Sequence, residues 1–121
     1  MKLLIVDDNA AVRRVIRILV AGIADEIFEC ADGTEALTRY AAERPDVVLM
    51  DIEMAGMDGI TATRRIRAAD STARIIVVTD YDRSDLREAA REAGAYDYVT
   101  KDNLTELVGL LQVRDTDGGR Q

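Results

Sequence analysis

The chain has 121 residues, a net charge of −7 and a hydrophobic share of nearly half, which suits one folded domain and argues against intrinsic disorder. The negative charge argues against nonspecific binding of nucleic acid by this chain alone. Cys30 is the only cysteine and there is no histidine, so an internal disulfide, a Cys-rich metal site and an imidazole base or metal ligand are all excluded. Any phosphohistidine chemistry must come from a partner.

The apolar runs of the sequence are far shorter than the roughly 20 residues of a membrane helix. Met1 and Lys2 lead directly into a strand-like run, which is not the pattern of a signal peptide. We therefore expect a cytoplasmic protein with no membrane contact.

Strand and helix signals alternate along the chain. Strands are predicted at about 2–7, at 26–30, in the apolar run that ends at residue 51, at 74–79 and at 96–100. Helices are predicted at about 10–21, after the turn at 32–34, and at about 59–69, 83–93 and 103–113. The first helix presents an apolar face, predicted to be buried, made of Val12, Val15, Ile16, Leu19 and Val20. The second is predicted to bury Ala36, Leu37, Tyr40 and Ala41 and to stop at Pro45.

The last predicted element is a polar, glycine-rich tail at 114–121 that follows a domain at 1–113. Strands one, three and four are almost wholly apolar, as expected when helices cover both faces of a parallel sheet, whereas the mixed second strand suits an edge. Right-handed crossovers then give an α/β, doubly wound sheet. In that architecture ligands lie beyond the carboxyl ends of the strands.

Polar residues stand where the apolar strands end. Asp7 and Asp8 follow the first strand, Asp51 the third, Thr79 the fourth and Lys101 the fifth. Carboxylates gathered in one partly buried place repel one another, and a hard cation such as Mg²⁺ relieves that repulsion. Such a pocket would let Asp51 act as a nucleophile that accepts a phosphoryl group.

Each of these residues also has an ordinary interpretation. Asp7 and Asp8 suit a helix cap, Thr79 a strand end and Lys101 a solvated surface. Lysine is rare here, however: the chain has only Lys2 and Lys101 beside fourteen arginines, so a generic positive charge would usually be arginine. The glycine-rich nucleotide-binding fingerprints are absent, which argues against a nucleotide enzyme.

These residues, in this order and spacing, give a family resemblance. The segments concerned are Leu3–Asn9, which ends in the acidic pair, 47–59 around Asp51, Ile75–Thr79, and Tyr98 with Lys101. From its first strand to its fifth helix, the chain resembles the receiver domain of two-component response regulators. The resemblance implies a flavodoxin-like (βα)5 sheet with strand order 2-1-3-4-5.

The resemblance also implies a function. A histidine kinase or histidine phosphotransfer protein would transfer a phosphoryl group to Asp51, assisted by Thr79 and Lys101. Mg²⁺ would be held by Asp8, Asp51 and the main chain of Glu53, with Asp7 in support through water. Such a domain is a switch that assists its own phosphorylation and dephosphorylation, and not an enzyme.

In the implied switch, Thr79 moves toward the phosphoryl group and Tyr98 turns inward. The face made by the fourth helix, fifth strand and fifth helix would then change, controlling a partner, an output or a homodimer. The ordinary interpretation of Tyr98 is a half-buried strand aromatic that does not move.

Three residues depart from the family pattern. Asp80 follows Thr79 where a small residue is usual, and it could repel a phosphodonor or compete for Lys101. Ala55 replaces a proline common in the phosphorylation loop. Asp102 stands where many members have proline, and the Lys-Asp pair resembles receivers attached to a helix-turn-helix output domain.

Asp80 leaves an alternative open, an atypical receiver that acts as a phosphorylation-independent interaction module. A second alternative is a phosphohydrolase of the haloacid dehalogenase type. That family has an Asp-x-Asp pattern after the first strand, which Asp7, Asp8 and Asn9 match poorly. Finally, Arg13, Arg14 and Arg17 of the first helix form either a docking surface for an acidic partner or a solvated helix face.

Overall fold

Five parallel strands alternate with five helices in the computed structural model, which describes the backbone of residues 1–119 and the side chains of residues 1–112. The strands are β1 (Lys2–Val6), β2 (Glu26–Cys30), β3 (Val47–Met50), β4 (Ile75–Thr79) and β5 (Asp97–Thr100). The helices are α1 (Ala10–Val20), α2 (Gly33–Glu43), α3 (Gly59–Ala69), α4 (Ser84–Glu92) and α5 (Glu106–Gly119). A short 3-10 helix, Lys101–Asn103, precedes α5.

The sheet has the strand order β2-β1-β3-β4-β5, with every neighbouring pair parallel. This confirms the predicted doubly wound sheet and the edge position of β2. One face of the sheet packs against α1 and α5 in a cluster that includes Ile16, Val20, Leu107 and Leu111. The other face packs mainly against α2 and α3, through Ala36, Tyr40, Ala62 and Ile66. All residues of β1, β3 and β4 from Leu3 onward are buried, because both faces are covered.

Side-chain caps fix where three helices begin. The Asn9 side chain accepts hydrogen bonds from the N–H groups of Ala11 and Val12 in α1. The side chains of Asp32 and Asp58 each accept a backbone N–H from the first turns of α2 and α3. Two of these caps directly follow the sheet edge that carries the acidic residues. The helices therefore start from loops held at that edge.

Two predictions about packing were wrong. Val15 is 47% exposed, and Ala41 is also exposed, because each lies on the outer side of its helix while its apolar neighbours fill the sheet contact. On α1, Ile16 and Val20 are fully buried, and Val12 and Leu19 are partly buried.

The end of the chain also differs from the prediction. Helix α5 begins at Glu106 and not near 103, because the 3-10 turn uses residues 101–103 first. Its backbone continues to Gly119, through most of the predicted polar tail at 114–121. Residues 120 and 121 lie outside the described residues, and the division into domain and tail stays a prediction. None of the described helices has the length and apolar character to cross a bilayer.

Candidate functional site

The sheet register brings the acidic residues together. Val6 of β1 pairs with Met50 of β3, so Asp7 and Asp51 emerge side by side from adjacent strands. The Asp51 N–H donates to the carbonyl of Val6 at 2.9 Å, which extends the ladder to that point. Oxygen atoms of Asp7, Asp8 and Asp51 all lie within 4.8 Å of one another. Asp7 and Asp51 are buried, whereas Asp8 faces solvent.

Lys101 reaches into this cluster from the end of β5. Its Nζ lies 2.8 Å from Asp7 Oδ2 and 3.3 Å from Asp51 Oδ1. Burial alone lowers the pKa of Lys101, but the close contact with Asp7 and the charge of Asp51 outweigh burial and raise that pKa above its ordinary value. Lys101 therefore stays charged and offsets part of the acidic repulsion.

The Asp51 carboxyl has a raised pKa. Burial first, and then the charge of Asp7, raise its pKa from 3.8 to about 6, against the opposing effect of Lys101. Its Oδ1 accepts the N–H of Ile52 at 2.9 Å, which fixes the carboxylate orientation. When ionised, Asp7 and Asp51 carry two negative charges and Lys101 supplies one positive charge, so negative charge is left to neutralise.

The donor set fits a hard cation. Among the described residues, Asp7 Oδ2 is buried and accepts no hydrogen bond, while Lys101 Nζ lies 2.8 Å away as its ion-pair partner. The three carboxylates supply only oxygen ligands, which suit Mg²⁺ better than zinc. Next to them is a cavity of ≈ 480 Å³ that is lined by Asp8, Ile52, Glu53, Met54 and Asp58.

Gly59 explains how the loop after β3 closes over the site. A Cβ at this position would lie 1.8 Å from the carbonyl oxygen of Asp51, a backbone atom that cannot move aside. The Gly59 N–H also donates to the carbonyl of Ile52 at 2.8 Å. Only glycine allows the first turn of α3 to approach Asp51 this closely.

Thr79 ends the strand next to that of Asp51, and Tyr98 lies on β5, one strand further along the sheet. Thr79 is 1% exposed at the end of β4, and it pairs with Thr100, the residue before Lys101. Tyr98 is buried, with its hydroxyl donating to the carbonyl of Tyr81 at 2.6 Å. Its ring also packs under Arg87, whose guanidinium carbon lies 4.5 Å from the ring centroid. The tyrosine is thus already inward in this structure.

The structure bears on two further hypotheses from the sequence, which concern Asp80 and the arginines of α1. Asp80 is largely exposed, and its Oδ2 lies 3.9 Å from Lys101 Nζ, at the limit of an ion pair. On α1, Arg13 and Arg17 each donate to Glu29 at 2.9 Å, and Arg13 also donates to the carbonyl of Asp7. Arg13 thus contacts the site and Arg17 the neighbouring strand β2, and these contacts favour a local structural role for the two arginines over an open docking surface.

The sequence analysis missed one pair at the site. The Tyr81 hydroxyl donates to Glu53 Oε2 at 3.2 Å and so joins the loops that follow β4 and β3. An aromatic residue in a polar loop such as Tyr81 is not by itself a sequence signal for a site. The available signal was positional: each member of the pair lies two residues beyond a residue of the proposed site.

Comparison with known proteins agrees with this geometry. Residues 3–112 match the model of the response regulator receiver domain. The sporulation initiation phosphotransferase F of Bacillus subtilis is 35% identical over 83% of this chain and 81% of its own length. The chemotaxis protein CheY of the same organism is 40% identical over 83% of this chain and 84% of its own length.

A solved structure supports the same assignment. The CheX-CheY-BeF3-Mg+2 complex from Borrelia burgdorferi contains a chain that superposes with a TM-score of 0.82 at 29% identity, covering 92% of this chain and 87% of that one. With a family match over nearly the whole chain, relatives above one-third identity and a shared fold, the chain belongs to the response regulator receiver domain family.

Proposed function

We propose that this receiver domain accepts a phosphoryl group on Asp51 and thereby switches the surface made by α4, β5 and α5. The observation that carries the proposal is the convergence of Asp7, Asp8 and Asp51 with Lys101 at one sheet edge. A pocket with this composition suits phosphoryl transfer, which needs positioning and charge stabilisation more than covalent assistance.

Each residue has a distinct part in the proposed reaction. An Asp51 carboxylate oxygen forms a bond to phosphorus, and the bond from phosphorus to the donor breaks with its electron pair leaving on the donor. Lys101 and Thr79 would contact phosphoryl oxygens, as a point charge and as a hydroxyl donor. Since the chain has no histidine, a phosphohistidine donor must be another protein, a histidine kinase or a phosphotransfer protein.

Mg²⁺ is the proposed cofactor, and it would supply charge neutralisation for the incoming phosphoryl group. Asp8, Asp51 and the main chain of Glu53 would hold it, with Asp7 in support through water. The similar structure from Borrelia burgdorferi is a CheX-CheY-BeF3-Mg+2 complex, which supports the same cofactor here.

The proposed output face includes the contacts of Tyr98. The phenol of Tyr98 lies between Arg87 and the carbonyl of Tyr81, beside a cavity of ≈ 240 Å³ between α4 and β5. A phosphoryl group that draws Thr79 inward would pull the loop carrying Tyr81 and so disturb this contact. This face would bind the downstream partner or a second copy of the chain, and we propose no direct binding of nucleic acid.

The alternative of a phosphorylation-independent interaction module also has support. Tyr98 is buried and hydrogen-bonded in this structure, and Asp80 lies near Lys101. In that case the α4-β5-α5 face would keep one conformation whether or not Asp51 is phosphorylated. We propose a switch and not an enzyme.

Incubation with acetyl phosphate and Mg²⁺, followed by intact-mass analysis, tests the proposal. We expect the wild type to gain one phosphoryl group and Asp51→Asn to gain none. Asp46→Asn is the matched control, since Asp46 precedes β3 at its other end and is exposed. The proposal fails if the wild type stays unmodified, or if Asp51→Asn is modified equally.

A further inference from the structure

A basic cavity lies at the end of the sheet opposite Asp51. It has a volume of ≈ 370 Å³ and forms where the loop between α3 and β4 meets the loop between α4 and β5. Strand β4 runs from this cavity to Thr79, and at about 3.3 Å per residue its two ends are roughly 13 Å apart. The polar residues of the lining that bear on its chemistry are Arg67, Ser71, Arg74 and Tyr96.

Arg67, in the last turn of α3, is held in place by the backbone of the loop that follows. Its Nη1 donates to the carbonyl of Ala73 at 3.1 Å and also to the carbonyl of Ser71. A Cβ on Gly94 would lie 2.7 Å from Arg67 Nε, so the glycine leaves space for the guanidinium. These contacts are with neutral groups, so they orient the guanidinium without compensating its charge.

Arg74 and Tyr96 form the exposed part of the lining. The guanidinium carbon of Arg74 lies 5.1 Å from the centroid of the Tyr96 ring. The Tyr96 N–H donates to the carbonyl of Ile75 at 2.7 Å, which fixes the two loops to each other. Contact with an aromatic ring orients a guanidinium and leaves its N–H groups able to donate to a ligand.

Neither of these two arginines has an acidic partner. Among the described residues, no carboxylate lies within ion-pair distance of either guanidinium, whereas Arg87 and Arg91 of α4 each pair with an acid. The two acids nearest in sequence are engaged elsewhere. Asp70 accepts a tyrosine hydroxyl at 2.7 Å, and Asp97 accepts a backbone N–H at 2.8 Å. Two uncompensated positive charges that line one cavity favour an anion between them.

We propose that this cavity binds the phosphate group of a small ligand, with Arg67 and Arg74 as charged donors and the Ser71 hydroxyl as a neutral one. Phosphate suits this set because guanidinium groups match its oxygens in both charge and geometry. The volume admits inorganic phosphate or a mononucleotide, whose base would stack on the exposed Tyr96 ring. The proposal does not depend on phosphorylation of Asp51.

Amide NMR titrations with inorganic phosphate, adenosine monophosphate and adenosine test the proposal. They are made at constant ionic strength in EDTA, so that no divalent cation draws phosphate to the acidic cluster at the other end of the sheet. We expect saturable shifts of the amides of Ser71, Gly94 and Tyr96 with inorganic phosphate.

Arg74→Gln should raise the Kd for phosphate about tenfold, because it removes one charge-assisted contact. Arg14→Gln is the matched control and should leave the Kd unchanged, since Arg14 is an exposed arginine of α1, which covers the other face of the sheet. Arg67→Gln, checked for cooperative unfolding in urea, repeats the test on the second guanidinium.

The ligands distinguish the two sources of phosphate. Tighter binding of adenosine monophosphate than of phosphate, with the advantage lost in Tyr96→Leu, supports the site and identifies a nucleotide. Equal or weaker binding of the nucleotide supports the site and identifies inorganic phosphate. The proposal is overturned if neither anion shifts these amides saturably, if Arg74→Gln binds phosphate as tightly as Arg14→Gln, or if adenosine binds as tightly as its monophosphate.

Discussion

Removal of the Asp51 charge should stabilise the protein when no divalent cation is present. The pKa of Asp51 is raised from 3.8 to about 6, because its carboxylate is buried beside Asp7. The folded state therefore binds this proton more tightly than the unfolded chain does. Stability falls as the pH rises from about 4 to about 6, and the whole cost is present above about 6.

The size of this cost follows from the shift. Roughly two pKa units at 1.36 kcal/mol each give an upper value of about 3 kcal/mol at neutral pH. Asp51→Asn keeps the shape of the side chain and an oxygen for the Ile52 N–H, but it removes one ionic partner of Lys101. We therefore expect a net gain of about 1–3 kcal/mol in the free energy of unfolding.

Urea unfolding followed by circular dichroism, at pH 7.5 in EDTA, measures this gain. Glu26→Gln is the control, since it removes one exposed carboxylate at the far end of the sheet and should change stability by less than about 0.5 kcal/mol. The wild type should lose stability between about pH 4 and 6 relative to Asp51→Asn.

Added Mg²⁺ should then favour the wild type over Asp51→Asn in the free energy of unfolding. A cation that binds only the folded state stabilises it by about 2.7 kcal/mol at 100 times its Kd, and Asp51→Asn lacks one of the proposed ligands. The wild type should thus respond to Mg²⁺ more strongly than the variant. The reasoning is refuted if Asp51→Asn in EDTA is no more stable than Glu26→Gln.

Three other predictions follow from single contacts. Gly59→Ala should lower the free energy of unfolding by about 2 kcal/mol or more, because the new Cβ meets the Asp51 carbonyl at 1.8 Å; a urea midpoint equal to that of wild type would contradict this. The pKa of Asp70 is lowered to about 2, chiefly by a threonine hydroxyl and then by the Tyr40 hydroxyl, so its contribution is present above about pH 4 and lost as the pH falls toward 2. Acid titration should therefore show a shallower loss of stability for Asp70→Asn than for the wild type, and parallel curves would refute the assignment. Asp80→Ala should speed phosphorylation by acetyl phosphate, since it removes a carboxylate 3.9 Å from the site lysine; an unchanged or slower rate by intact mass would count against it.

The packing of α1 shows what the apolar pattern of the sequence does not predict. Its helical periodicity predicted five buried positions, yet Val15 is exposed, because the width of the buried stripe depends on how closely the helix sits against the sheet and α5. Apolar spacing gives the face of a helix but not that width. The start of α5 was also predicted wrongly, since a 3-10 turn at 101–103 precedes the helix and Lys101 at its start contacts Asp7 of a distant strand.

The sequence by itself determined the alternation of strands and helices, the edge position of β2 and the set of polar residues at strand ends. Those features follow from local periodicity and from burial on both faces of a parallel sheet. The tertiary structure alone decided that Lys101 pairs with Asp7 more closely than with Asp51, that Tyr98 lies inward, and that Tyr81 meets Glu53. These contacts join residues from different loops, and their distances depend on strand register and loop path, which no local pattern of residues specifies.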